Sequence, residues 1–224
     1  MKSILIVLLS CCSLIQLKAQ QDNLLPLKKC FEKYASLESY YATIRQTNYD
    51  SSLNIIQEVN STVGFTKSEY FAKNSRLLVL AQRGLQLSLD LKKKEAVLSP
   101  YDTEHSKREK SLAFLQFIDT NASDIKVKHE GAIYSYRIKS PYSLHTYILV
   151  KIDSETYTYE QVQITDFHPR TNRIFTRLEI DFLNQDFSGK GFNDRKIEDY
   201  VSGKGKDARL KAPYSDYKFY NLQN

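Results

Sequence analysis

The residues able to do chemistry are few and scattered. The four histidines, His105, His129, His145 and His168, stand far apart. No His-Glu-x-x-His pattern and no pair of cysteines accompanies them, so the spacing that a metal site needs is missing. A histidine without a partner reads as a surface or packing residue. No Gly-x-Ser-x-Gly elbow offers a serine nucleophile. "SGKGKD" (Ser202–Asp207) has the glycines of a phosphate-cradling loop but neither its spacing nor a strand before it and a helix after it, and it reads as a polar loop. Glu179 and Asp181 alternate with apolar residues, which puts both on the outward face of a strand. Cys30 borders a helical apolar stripe without a neighbouring His or Asn, the setting of a small buried hydrophobe. The expectation is a protein that is not an enzyme and uses neither metal nor cofactor.

The N-terminus and composition narrow the class. Lys2 precedes an apolar run from Ile4 to Leu17, and Leu17 and Ala19 form an acceptable cleavage site. Residues 1–19 therefore read as a secretory signal peptide, followed by one domain over 20–224. The run is short for a membrane-spanning helix. "LLSC" (Leu8–Cys11) offers a second reading as a lipobox, which would anchor the protein through a lipidated Cys11. Cleavage after Ala19 removes Lys2 and Lys18 and no acid, so the formal charge falls from +6 to +4. That mild charge is interspersed with acids and gives no stripe suited to nucleic acid. It also leaves Cys30 as the sole cysteine, which argues against a disulfide-built extracellular module and for the periplasm of a bacterial envelope.

The elements follow from the periodicity. Leu24, Leu27, Phe31, Tyr34 and Leu37 recur at three- and four-residue steps, predicting a helix from Asp22 to about Ser39. From Tyr40 the spacing becomes that of strands, in "YYATIRQT", "LNIIQEVN", "RLLVLAQ", "GLQLSLDL" and "KEAVL". "TKSEYFAKN" reads as an irregular edge or a helical turn. A second helix opens at Pro100 and Asp102 and ends on the strongly apolar "SLAFLQFI", which must rest on something. Strands follow in "IKVKH", "AIYSYRI", "LHTYILVKI", "TYTYEQVQI" and "RIFTRLEIDF", with a hairpin turn at Asp153-Ser154-Glu155. "DRKIEDYV" predicts a short helix. Sixteen Tyr and eleven Phe suit an antiparallel sheet, and the fold class is α+β.

"TKSEYFAKNSRLLVLAQRGLQLSLDLKKKEAVLS" (Thr66–Ser99) resembles the core pattern of the outer-membrane lipoprotein carrier (LolA-like) superfamily. Tyr70 and Phe71 stand in its aromatic edge, Leu77-Leu78-Val79 in its Ile-Leu-Val strand, Gly84 in its turn and Asp90 at its strand end. "SLESYYATIRQT" and "YILVKIDSETYTYEQVQI" are similar to its first strand and later hairpin. The resemblance implies an incomplete antiparallel β-barrel covered by helices, with acyl chains of a lipid or lipoprotein held in the hollow between. It implies a monomeric carrier or chaperone, with a non-catalytic scaffold bound to an envelope protein as the alternative. Phe71, Leu78, Leu85, Leu87, Leu89, Phe114 and Phe117 become candidate lipid contacts, with Leu85, Leu87 and Leu89 facing the helix that ends in "LAFLQFI". The family's lid-latching arginine falls at Lys67 and the proline after it at Ser68, and its tryptophans are missing. Lysine lacks arginine's planar fork, so a latch at Lys67 would differ in kind.

Overall fold

The change from helical to alternating spacing near Tyr40 is a real boundary. The structure is a computed structural model that describes residues 23–66, 69–101, 124–140, 143–188 and 196–223. A helix runs over 23–36, and the chain then enters the strand β1 (Ser39–Tyr49). A meander follows through β2 (Ile55–Thr66), β3 (Glu69–Lys73), β4 (Leu77–Gln82), β5 (Leu85–Asp90) and β6 (Glu95–Pro100). The segment expected to be an irregular edge or helical turn is thus a strand, β3, because β2 and β4 pair with it on both sides. The second predicted helix lies outside the described residues, except that Pro100, expected to open it, is instead the last residue of β6, where it pairs with Leu85. A second meander comprises β7 (Lys126–Glu130), β8 (Ile133–Lys139), β9 (Thr146–Asp153), β10 (Thr158–Phe167) and β11 (Ile174–Asp186).

Pairing of β1 with β11 joins the two meanders into one sheet. The predicted short helix is Ile197–Tyr200. The segment read as a polar loop holds more order than expected: β12 (Val201–Ser202) pairs with β13 (Arg209–Leu210) around a 3-10 turn, Gly205–Asp207. The last described strand is β14 (Lys218–Asn221), which runs parallel to β6, the one parallel pair among the described residues. The order among the described residues is β14-β6-β5-β4-β3-β2-β1-β11-β10-β9-β8-β7, a large curved sheet that is not closed into a barrel. Two helices cover the sheet among the described residues, with an extended C-terminal segment beside the second. None of the described helices is long and apolar enough to cross a membrane.

Turn chemistry sets the register. Arg83 and Gly84 join β4 to β5 with φ of 49° and 78°, the left-handed pair that a two-residue hairpin needs. At the lysine cluster the Asp90 carboxylate accepts backbone N–H bonds from Lys92 (3.1 Å) and Lys93 (2.9 Å), closing the β5–β6 turn.

Two buried clusters stabilise the sheet, and they lie on opposite faces. Residues opposite one another across antiparallel strands share a face, and neighbours along a strand do not. Leu87, Leu80, Phe71, Gly64 and Tyr41 form one cross-strand row. Tyr40, Phe65, Tyr70 and Ala81 form the row on the other side. Tyr40 packs edge-on against Tyr34 of the N-terminal helix, so that helix covers the second face. There Leu24, Leu27 and Cys30 bury against Tyr136, Ile138, Val150 and Ile152. On the first face Phe71, Leu78, Leu80, Leu87, Leu89, Ala96 and Leu98 bury against Ile197, Val201 and Ala208.

Candidate lipid-binding site

The leucines of β5 do not share one environment. Leu87 and Leu89 are fully buried in the first cluster, and Phe71 and Leu78 are buried with them. Leu85, at the start of the strand, is half-buried and packs at the cluster's margin. Their cover is the C-terminal segment. Tyr200, Leu210, Tyr214, Tyr217 and Phe219 pack around the buried residues. Phe114 and Phe117, expected in that role, lie outside the described residues, as does Lys67.

Where Leu85 leaves the cluster a cavity of about 390 Å³ opens. Its apolar wall is Leu85, Leu98, Ile197 and Val201, and its polar residues are Gln82, Arg83, Glu198, Lys204 and Gln223. Several local features hold the walls apart. Gln82 is buried and its Oε1 accepts the Ile197 N–H at 2.9 Å, which fixes the short helix to the end of β4. Arg83 Nη1 meets Glu198 Oε1 at 3.1 Å across the mouth. Both side chains are mainly solvated, so the pair orients the mouth more than it stabilises the fold. Lys211 donates to the Glu198 carbonyl at 2.6 Å. Gly203, also in the wall, has φ +78°, and a Cβ there would lie 2.5 Å from the Asp207 carbonyl oxygen. Only glycine fits that turn.

Sequence reasoning named Leu85 but missed Leu98, Ile197, Val201 and Gly203. Two signals were present: Ala96 and Leu98 alternate in "KEAVL", and Ile197 and Val201 are four apart in "KIEDYV". Neither says which distant strand the segment will cover. Phe71, besides its place in the cluster, borders a separate polar groove with Tyr41, Asn60, Thr62 and Lys73.

The other face holds a hydrogen-bonded network of aromatic and amide side chains. Tyr34 and Tyr40 both donate to Gln185 Oε1, the Tyr40 bond being 3.0 Å, and Gln185 Nε2 donates to the Tyr159 carbonyl at 2.8 Å. Burial pushes the Tyr34 and Tyr159 phenols well above their usual range and the Cys30 thiol up to about 12. These groups stay neutral and act as packing and hydrogen-bonding residues. His129 stacks on Tyr134 at 4.0 Å, and His168 Nδ1 accepts the Arg170 N–H at 3.3 Å. Among the described residues no group of three His, Cys, Asp or Glu side chains converges as metal ligands.

No family model matches the sequence, and no curated protein matches it. Similar solved structures include an uncharacterized conserved protein from Thermus thermophilus, at 8% identity and a TM-score of 0.47 over 91% of this chain and 99% of that one. A domain described as an outer membrane lipoprotein-sorting protein, from Vibrio parahaemolyticus, matches at 9% identity and 0.32 over 78% and 95%. A LolA superfamily protein from Nitrosomonas europaea matches at 7% and 0.32 over 76% and 94%. At such distance, what this chain binds has to be argued from its own residues.

Proposed function

We propose that the chain is an exported, periplasmic carrier that holds the acyl part of a lipid or lipoprotein in the cavity beside Leu85. The cavity itself carries this reading. Its volume, about 390 Å³, is that of an ordinary small-ligand site, and its lining combines aliphatic with polar residues. That is the chemistry of an amphiphile: burying a chain is worth about 0.8 kcal/mol per CH₂, with the head left in water. Leu85 is the contact argued for most strongly. Leu87, Leu89, Leu78 and Phe71 support the wall from the dry cluster behind it, and Phe114, Phe117 and the Lys67 latch remain part of the proposal. Export rests on the leader-like residues 1–19.

Native mass spectrometry of protein purified from producing cells tests this. The expected result is co-purifying lipid in the wild type and its loss in Leu85→Trp, which fills the cavity, while circular dichroism stays unchanged. Lipid retained by a folded Leu85→Trp would place it elsewhere. A wild type without lipid that crosslinks to one envelope protein would instead be a scaffold.

A further inference from the structure

On the same face as the leucine cluster, but across the second meander, lies a concave site of about 270 Å³. Cross-strand pairing of Lys139, Tyr147, Thr165 and Arg177, and of Arg137, Leu149 and Gln163 beside them, lines up its walls on one side of the sheet. Two of the lining residues are arginines, and none is a carboxylate. Arg177 Nε is buried and has no hydrogen-bond partner among the described residues. Its nearest acid is Glu179, 3.7 Å from Nη1, too far for a charge-assisted hydrogen bond, and Glu179 already accepts the Tyr49 hydroxyl at 2.9 Å. A buried guanidinium N–H without an acceptor is costly. The Arg137 guanidinium lies 4.5 Å over the Tyr147 ring, and Phe167 meets that ring edge-on at 5.7 Å. Thr165 Oγ1 accepts from Gln163 Nε2 at 2.9 Å, which leaves its own O–H to donate.

Donors therefore converge from three strands, β8, β10 and β11, and the acid beside them, Glu179, approaches Arg177 at Nη1 and is not among the lining residues. We propose that this site binds a phosphate group. A tetrahedral oxyanion presents oxygens in three directions and accepts guanidinium forks side-on, where a planar carboxylate fills two directions. The volume exceeds that of phosphate alone and leaves room for a small ester substituent against Tyr147 and Phe167. The site shares no residue with the acyl cavity, so either can fail without the other.

The experiment is titration of the full chain, labelled with nitrogen-15, with inorganic phosphate and with glycerol phosphate, reading the Arg177 Nε–H and the β10–β11 amides. A parallel arm measures binding to vesicles of phosphatidylglycerol and of phosphatidylcholine. The expected result is saturable shifts at Arg177, weakened about tenfold or more in Arg177→Gln and in the exposed-site variant Arg137→Gln, and unchanged in the distant control Arg209→Gln. Arg177→Lys keeps the charge without the fork and should bind as weakly as Arg177→Gln. Vesicle binding that needs the same two arginines assigns the phosphate to a lipid head group; phosphate binding without it assigns a soluble ester. Absence of shifts, or equal shifts in folded Arg137→Gln, overturns the proposal.

Discussion

Asp153 and Asp90 close two hairpins by the same device. Asp153 Oδ1 accepts the N–H groups of Glu155 (3.0 Å) and Thr156 (2.7 Å), as Asp90 does those of Lys92 and Lys93. The backbone bonds from Thr156 and from Lys93 hold the two carboxyls below the usual carboxylate range. A carboxyl depressed in the folded state contributes stability above its unfolded pKa, about 3.9, and that contribution disappears as the pH falls through the lower folded value. Asp153→Asn keeps an acceptor at the same place but no longer titrates. Its urea midpoint should therefore fall less than that of the wild type between about pH 5 and pH 2. Parallel curves would show that the turn does not read the charge. Turns of this kind are legible in a sequence, because an Asp side chain reaches only its own next few residues. The same holds for Arg83-Gly84. Gly203 is legible only as a glycine: what forbids a side chain there is the carbonyl of Asp207, brought close by the turn itself.

Among the elements, the N-terminal helix is the most readable and β3 the least. The helix announces itself by a stripe that ends in the buried Leu24, Leu27 and Cys30. β3 has five residues, two of them charged at its ends, and takes its strand identity from β2 and β4. The helix is fixed to the sheet by more than apolar contact, since the buried Tyr136 hydroxyl donates to the Asn23 carbonyl at 2.9 Å. Tyr136→Phe keeps the ring and removes that bond, and should cost about 0.5–1.5 kcal/mol in denaturant unfolding. A second test uses Cys30. With its thiol pushed up to about 12 by burial, it should resist iodoacetamide at pH 8 in the native protein and react fully in denaturant. Ready labelling of the native protein would mean that the helix lifts from the sheet. β14 escaped notice for another reason. "YSDYKFYNL" is strand-like, but its parallel pairing with β6 depends on where the intervening residues return it.

At the scale of the whole molecule, alternation reveals that a strand has two faces and leaves open which face each helix takes. The leucines of β5 lie on the face away from the helix over 23–36, and the described residues packed on them are those of the C-terminal segment. The helix expected over them, ending in "LAFLQFI", lies outside the described residues. The consequence is that one sheet is stabilised from opposite sides at its two ends, with the β1–β11 pairing joining the halves among the described residues. Leu87 belongs wholly to the first cluster, and truncating it to Ala should destabilise the protein by about 2–5 kcal/mol, as a cavity left in a dry core does. How that loss is distributed tests the two-sided construction. If each cluster stabilises its own half, native-state hydrogen exchange in Leu87→Ala should speed up in β4, β5 and β6. The amides of β8, β9 and β10, packed under the N-terminal helix, should keep their wild-type protection until global unfolding sets the limit. Equal acceleration in both halves would show that the β1–β11 seam couples the clusters into one cooperative unit. In that case any opening of the cavity beside Leu85 would have to involve the entire sheet. Local acceleration would instead leave the C-terminal cover free to lift from that cavity while the rest of the sheet holds its shape.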